Sequence, residues 1–82
     1  MSPSISVIMP AYNAERTIEL ALRSIRMQTI ADQTEILVID GGSTDATREI
    51  ARQYGAVILD NPHRLPEPAK LIGIQRAKGR YV

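Results

Sequence analysis

The sequence predicts an α/β fold in which four parallel strands alternate with three helices in the order β-α-β-α-β-α-β. Short, uninterrupted apolar runs at residues 5–9 and 36–39 are typical of strands that are buried on both faces of a sheet. The segments between successive runs are long enough for the helical crossovers that parallel strands require. Helices on both faces of the sheet would make a three-layer structure.

The first β-α unit is predicted from its apolar pattern. Residues 5–9 form the first strand, and Pro10 is expected to end its hydrogen-bonded ladder because proline has no N–H. Residues 14–28 form the first helix, with Asn13 as its N-cap and Glu15 in its first turn. One face of this helix is apolar at steps of four and three residues, through Ile18, Leu22 and Ile25.

The second unit follows a polar connection at residues 31–34. Residues 35–39 form the second strand, and the second helix is expected to begin between Ser43 and Asp45 and to end at Gly55. Residues 56–59 form the third strand.

The third unit begins with a proline-containing loop at residues 60–67. Pro68 suits the first position of a helix that continues over residues 69–78 and ends at Gly79. Residues 80–82 begin a fourth strand, which we expect to be cut short by the end of the chain.

Composition excludes several classes of protein. The 82 residues carry a net charge of only +1, and acidic and basic residues are interleaved, so a basic nucleic-acid-binding surface is not expected. With no cysteine, the chain has no disulfide, thiolate metal site or cysteine nucleophile. No apolar run approaches the roughly 18 residues of a membrane-spanning helix, and no targeting segment is evident.

Asp40 is the strongest candidate for a ligand-binding residue. It follows four apolar residues and precedes Gly41 and Gly42, which predicts a carboxylate at the end of a strand with open space beside it. There it could accept hydrogen bonds from a base N–H or from sugar hydroxyls. The alternative is that Asp40 caps the second helix or pairs with an arginine.

Other polar residues carry weaker signals. The segment 10–13 suits a loop that lines a ring-shaped ligand and equally an ordinary strand-to-helix turn. Lys70 could reach a phosphate, although a lone lysine in a first helical turn is usually solvated. His63 is the only histidine and is expected at the surface. Three residues are interpreted as helix caps: Ser43, Thr44 and Asp45.

The familiar phosphate-binding and nucleophile motifs are absent. The chain contains neither a Gly-x-Gly-x-x-Gly nor a Gly-x-x-x-x-Gly-Lys-Ser/Thr loop, and no nucleophile elbow or pair of catalytic carboxylates. A dinucleotide-binding domain and a P-loop enzyme are therefore disfavoured.

Three linked motifs, however, resemble the N-terminal part of a family 2 glycosyltransferase with the GT-A fold. They lie at residues 6–15, 39–45 and 73–82 and read SVIMPAYNAE, IDGGSTD and GIQRAKGRYV. The likeness extends through nearly the whole chain in order and spacing. It implies a three-layer, Rossmann-like parallel sheet and one partial GT-A domain over residues 1–82, the nucleotide-binding half.

The resemblance also implies a site for a nucleotide-diphosphate-sugar donor. In such enzymes the loop after the first strand and the aspartate after the second hold the base and ribose. The resemblance also assigns Glu15 and Lys70 to this site, with less support. By position the main residues here are Pro10, Ala11, Tyr12, Asn13 and Asp40.

This chain departs from the family pattern in three places. Gly41 and Leu71 stand where many members have an acidic residue and an asparagine. In the family, the strand at 80–82 leads into an Asp-x-Asp motif that binds Mg²⁺ or Mn²⁺, and the catalytic base comes later. Both lie outside this sequence, so we expect no metal ligand or catalytic residue here, and no sugar transfer by these 82 residues alone.

The expected partners follow from the resemblance. They are a nucleotide-diphosphate-sugar donor and a saccharide or lipid-linked acceptor, with no nucleic acid. The expected location is the cytoplasm, at the cytoplasmic face of the membrane if the whole protein is anchored, and the expected process is cell-envelope polysaccharide synthesis. Two alternatives remain: a non-catalytic module that self-associates through its last strand, and another α/β nucleotide enzyme such as a nucleotidyltransferase.

Overall fold

Four strands and three helices alternate along the chain. The computed structural model describes residues 3–28, 33–62 and 66–81. In chain order the elements are β1 (Ile5–Ala11), α1 (Glu15–Gln28), β2 (Thr34–Asp40), α2 (Thr47–Gln53), β3 (Val57–Asp60), α3 (Pro66–Arg76) and β4 (Arg80–Tyr81). The strands form one parallel sheet in the order β3-β2-β1-β4. The predicted α/β fold and element order are confirmed.

Strand β2 lies at the centre of the three layers. On one face, Ile36 and Val38 pack against α1 and α2. On the other face, Leu37 and Ile39 pack against Ala69 of α3. Because alternate side chains of a strand point to opposite faces, a strand covered on both sides must be apolar at every position. This explains the uninterrupted apolar run in the sequence.

Pro10 does not end β1, contrary to the prediction. The Ala11 carbonyl accepts a hydrogen bond from Gly41 on the β2 side, and the Ser4 carbonyl accepts one from Arg80 on the β4 side. Because alternate residues of a parallel strand face opposite neighbours, the missing N–H of Pro10 faces the β4 side. There β4 pairs only with Ile5 and Ser6, so the proline removes no hydrogen bond from the described ladder.

Asn13 is not the N-cap of α1, which is a second correction. The Ala14 carbonyl accepts the first helical hydrogen bonds, from the amides of Thr17 and Ile18, and Ala14 therefore occupies the cap position. Asn13 lies one residue earlier with a φ of 47°, a left-handed conformation that asparagine tolerates better than most residues. Its side chain is used elsewhere, as described below.

The other boundaries differ from the predictions by a few residues. Helix α2 begins only at Thr47 and ends at Gln53, and the predicted stop residue Gly55 lies just past its C-cap Tyr54 with a φ of 76°. Helix α3 begins at Pro66 and ends at Arg76. Two prolines fit its first turn because the first amides of a helix have no helical partner. The predictions for His63 and Val82 fall outside the described residues.

A polar network joins the turn before β4 to the amino-terminal ends of β1 and β2. It lies at the edge of the sheet opposite to the carboxyl ends of the strands. The Ser6 hydroxyl donates to Glu35, which also accepts the Lys78 amide at 2.7 Å, and the Gly79 amide donates to Ser6 Oγ at 2.9 Å. Burial by itself would raise the pKa of Glu35, but the hydrogen bonds from Ser6 and Lys78 outweigh it and lower the pKa. The ionised carboxylate therefore stabilises the fold.

We expect Glu35 to make the free energy of unfolding depend on pH in the acid range. Its pKa is lowered in the folded state, so its contribution is present above the usual pKa of 4.5 and is lost as the pH falls below that value. In urea unfolding experiments, the free energy of unfolding should fall less between neutral and acid pH for Glu35→Gln than for the wild type. Glu49→Gln, which changes an exposed carboxylate on α2, is the control. An equal decrease in the free energy of unfolding for the wild type and Glu35→Gln would contradict the expectation.

We expect Gly79→Ala to destabilise the fold by about 1–3 kcal/mol through overpacking. A Cβ at this position would lie 2.7 Å from the Pro3 carbonyl oxygen and 2.9 Å from the Ile5 nitrogen, both backbone atoms that cannot rotate away. The neighbouring Lys78→Ala removes only an exposed side chain and is the matched control. Chemical unfolding of both variants measures the difference, and equal stabilities would show that β1 and the turn before β4 can move apart freely.

Candidate functional site

The ends of three parallel strands meet at one edge of the sheet. Ala11 lies opposite Asp40 in the register of β1 and β2, and Asp40 lies opposite Asp60 in the register of β2 and β3. The carboxyl edge of a parallel sheet is where α/β proteins bind ligands. Two carboxylates therefore stand side by side at this edge.

The Asp40 side chain is fully buried and organises the loop that follows it. Oδ2 accepts hydrogen bonds from the amides of Gly42 at 3.0 Å and Ser43 at 2.8 Å, and the Ser43 hydroxyl donates to Oδ1. Gly42 has a φ of 93°, a conformation that favours glycine. In this conformation Asp40 binds its own loop, and its role towards a ligand stays a prediction.

Arg48 links the two carboxylates. Its Nη1 lies 3.7 Å from Asp40 Oδ2, and its Nη2 lies 3.4 Å from Asp60 Oδ1. The arginine pairing that sequence reasoning kept as an alternative for Asp40 is therefore present. The sequence analysis missed both Arg48 and Asp60. Asp60 could have been found, because it ends the apolar run of β3 just as Asp40 ends that of β2, whereas nothing in the sequence marks Arg48.

Asn13 joins the loop after β1 to the loop after β2. Its Oδ1 accepts the amides of Thr44 at 2.8 Å and Asp45 at 3.4 Å, and its own amide donates to Ser43 Oγ at 2.8 Å. Asn13 thus accepts hydrogen bonds from backbone amides of the second loop, and the second loop accepts one from the amide of Asn13. This contact fixes the position of both loops at the carboxyl edge.

The loop after β2 and the first residue of α2 provide hydrogen-bond acceptors for the amides at the start of α1. The Ala14 amide donates to Thr47 Oγ1 at 2.8 Å, and the Glu15 amide donates to Asp45 Oδ2 at 3.2 Å. Burial alone would raise the pKa of Asp45, but hydrogen bonds from Thr47 and Glu15 lower it overall. The predicted capping is correct for Asp45, which accepts the amides of Glu15 and Thr47 at the starts of α1 and α2. It is wrong for Ser43, whose hydroxyl donates to Asp40, and α2 has no side-chain cap at its N-cap residue Ala46.

A cleft and a groove open near this edge. A cleft of about 210 Å³ between the ends of β2 and β3 is lined by Asp40, Gly41, Gly42, Asp60, Asn61 and Pro62. A groove of about 190 Å³ on the α1 side of β1 is lined by Met9, Pro10, Ala11, Ala14, Thr17, Ile18 and Ala21. Asp40 thus lies at the first cavity, and Pro10 and Ala11 lie at the second.

The remaining predicted site residues line neither cavity. Tyr12 is 42% exposed, Glu15 is exposed at the start of α1, and Lys70 is exposed on α3. Tyr12 and Asn13 directly follow β1 and so lie at the same edge of the sheet. Lys70 lies in the second turn of α3, because the helix begins earlier than predicted.

Over residues 3–28, 33–62 and 66–81, no three His, Cys, Asp or Glu side chains come together as a metal-binding group. The acidic pair at Asp40 and Asp60 shares an arginine rather than a vacant space for a cation. The described residues therefore do not fit a divalent metal. In the same part of the chain, no helix has the length and hydropathy needed to cross a membrane.

Comparison with known proteins places the chain among glycosyltransferases. Residues 6–82 match the profile of glycosyl transferase family 2. Glycosyltransferase AglE of Haloferax volcanii is 33% identical over 94% of this chain. The succinoglycan biosynthesis protein ExoA of Rhizobium meliloti is 34% identical over 83% of it.

A solved structure shares both the fold and part of the sequence. Glucosyl-3-phosphoglycerate synthase from Mycobacterium tuberculosis, in complex with Mn²⁺, UDP and glucosyl-3-phosphoglycerate, superposes with a TM-score of 0.74. The two chains are 31% identical, and the match covers 98% of this chain.

The matches span only part of each relative. This chain covers 28% of AglE, 22% of ExoA and 33% of the mycobacterial synthase. Nevertheless, the profile match extends over nearly all 82 residues, and the GT-A-like sheet and strand-end loops agree with it. The chain belongs to glycosyl transferase family 2.

Proposed function

We propose that this chain is the nucleotide-binding part of a GT-A glycosyltransferase and that the cleft between β2 and β3 receives the nucleoside of a nucleotide-diphosphate-sugar donor. The observation that carries the proposal is this cleft at the carboxyl edge of the parallel sheet, with the buried Asp40 carboxylate at its base. Glycine at positions 41 and 42 leaves the backbone open to a flat ligand. The size of the cleft suits part of a nucleotide rather than a whole sugar donor.

The predicted contact residues divide into two groups within this proposal. Asp40 shapes the loop at the base of the cleft, and Asn13 fixes the neighbouring loop. Tyr12, Glu15 and Lys70 are exposed and can meet parts of the donor that extend beyond the cleft. Pro10 and Ala11 provide the rigid end of β1 that carries Tyr12.

The whole enzyme would transfer the sugar to an acceptor hydroxyl with the help of Mg²⁺ or Mn²⁺. The mycobacterial relative was solved with Mn²⁺ and UDP, which supports this choice of cofactor class. When bound, such a cation neutralises charge on the leaving diphosphate. Its ligands and the catalytic base would come from parts of the enzyme outside this sequence, as would the acceptor site.

The biological setting is proposed from the relatives. ExoA is named for succinoglycan biosynthesis, which supports a saccharide or lipid-linked acceptor and a role in cell-envelope polysaccharide assembly. Nucleotide-sugar donors favour the cytoplasm, or the cytoplasmic face of a membrane, as the place of reaction. A partial GT-A domain over residues 1–82 is part of the same proposal.

We expect UDP or GDP to bind this chain without a requirement for Mn²⁺, because the described residues hold no metal-binding group. Titration of the ¹⁵N-labelled chain should shift the amides that border the cleft, those of Gly41, Gly42 and Asn61. The amides of Gly55 and Gly79, away from the cleft, should stay in place. No shift with either nucleotide at millimolar concentration would overturn the proposal.

We expect Asp40→Asn to weaken UDP binding by about tenfold, equivalent to about 1.4 kcal/mol. The variant removes the charge that holds the Gly42 and Ser43 amides and pairs with Arg48. Because Asp40 is buried, its unfolding curve must be measured as well. Tyr12→Ala, at an exposed position, tests the same edge of the sheet with little risk to folding. Glu49→Gln is the control that should bind as the wild type does.

Self-association is the alternative function. Sedimentation velocity over a range of protein concentrations distinguishes the two functions. A dimer that forms with increasing concentration and does not bind nucleotide would favour this alternative.

A further inference from the structure

The hydroxyl of Ser43 takes part in two hydrogen bonds that join different loops. It donates to Oδ1 of the buried Asp40, and its oxygen accepts the backbone amide of Asn13 at 2.8 Å. A serine hydroxyl has one donor and two acceptor positions, so it can connect an acceptor on one side to a donor on the other. Ser43 thus links the end of β2 to the loop after β1.

Ser43 is neither a helix cap nor a residue of the cleft. Helix α2 begins at Thr47 with Ala46 at its N-cap position, three residues further along the chain. The residues that line the cleft between β2 and β3 do not include Ser43. Its side chain is half-buried between the two loops. Any influence on a ligand in the cleft must therefore pass through the residues to which Ser43 is bonded.

The bond to Asn13 fixes the peptide unit that follows Tyr12. A peptide unit is planar, so an anchored Asn13 amide also sets the direction of the Tyr12 carbonyl. Asn13 has a φ of 47°, which few residues other than glycine adopt, and a bond to its amide helps to hold this conformation. The side chain of Asn13 is held separately, by the amides of Thr44 and Asp45. Ser43 therefore orients the backbone of Asn13.

Asp40 depends less on the Ser43 hydroxyl than the loop after β1 does. Without the hydroxyl, Asp40 Oδ2 still accepts the amides of Gly42 and Ser43 and still lies near Arg48. The Asn13 amide, in contrast, would lose the hydroxyl as its acceptor. A hydroxyl that donates to a carboxylate is also a stronger acceptor, because hydrogen bonds in a chain polarise one another. Removal of the hydroxyl should therefore act mainly on the loop after β1.

We propose that Ser43 is a positioning residue of the donor site, which transmits the fixed position of Asp40 to the loop that carries Tyr12. The inference deepens the proposed function and rests on it. Ser43 itself touches no part of the nucleotide. Its hydroxyl holds the backbone in the conformation that presents the exposed Tyr12 ring to the donor.

Hydrogen exchange of the Asn13 amide tests the link without a nucleotide. In Ser43→Ala this amide should exchange about fivefold faster than in the wild type, because it loses its acceptor. Ser43→Thr keeps a hydroxyl and should exchange at nearly the wild-type rate. Ser24→Ala removes a serine hydroxyl that accepts a hydrogen bond from Gln28 within α1, and it is the matched control. Unchanged exchange in Ser43→Ala would overturn the proposal.

Nucleotide affinity tests the consequence of the link. Ser43→Ala should bind UDP about fivefold more weakly than the wild type, Ser43→Thr should restore most of the affinity, and Ser24→Ala should bind as the wild type does. GDP takes the place of UDP if the wild type binds only GDP. Amide shifts of ¹⁵N-labelled protein measure the affinities, and unfolding curves verify that each variant is folded. If Ser43→Ala does not fold, Ser43→Cys replaces it, because a thiol is only a weak donor and acceptor.

The route through Tyr12 is tested by combining two variants. If Ser43 acts by orienting Tyr12, Ser43→Ala should have little further effect on UDP affinity in the Tyr12→Ala background. A general loosening of the fold would instead lower the affinity by the same factor in both backgrounds. That outcome would overturn the positioning role.

The outcomes separate this inference from the proposed function. If the wild type binds UDP and Ser43→Ala binds it equally well, the positioning role is wrong while the nucleotide site stands. If Ser43→Thr loses as much affinity as Ser43→Ala, the hydroxyl is not the cause and the role is also wrong. If the wild type binds neither UDP nor GDP, the proposed function fails, and the positioning role fails with it.

Discussion

The burial of β2 on both faces is the constraint on which the rest of the structure depends. A strand covered by α1 and α2 on one side and by α3 on the other brings its last residue, Asp40, to the sheet edge without exposing it. A buried carboxylate must be hydrogen-bonded or paired. The Gly42 and Ser43 amides and Arg48 meet this requirement, and in doing so they shape the loop and the cleft beside it.

The hydrogen bonds between the first two loops extend this order to the end of β1. Asn13 satisfies amides of the second loop, while Thr47 and Asp45 satisfy the first amides of α1. Each loop therefore depends on the other for partners that its own residues do not provide. Residues that look like local helix caps in the sequence act between elements about thirty positions apart. Their role is to hold the edge of the sheet rigid where a ligand is proposed to bind.

The family assignment and the site geometry carry different kinds of information. Profile and structural matches show that the chain is a family 2 glycosyltransferase sequence with a GT-A-like sheet. They do not show what individual side chains of this chain do. Those roles are inferred from the contacts that the side chains make. Here the contacts shift attention from Asp40 alone to the set formed by Asp40, Arg48 and Asp60.

The sequence by itself determined the fold class, the order of the elements and the position of Asp40 at the end of β2, because continuous apolar runs and helical spacing are local patterns. It also indicated Gly55 as the left-handed residue just past the end of α2. Only the tertiary structure decided that Pro10 stays within β1, since that depends on which neighbour its missing N–H faces. Likewise, Asn13, Arg48 and Asp60 acquire their roles from residues far away in sequence, and no local pattern encodes which side chains will meet.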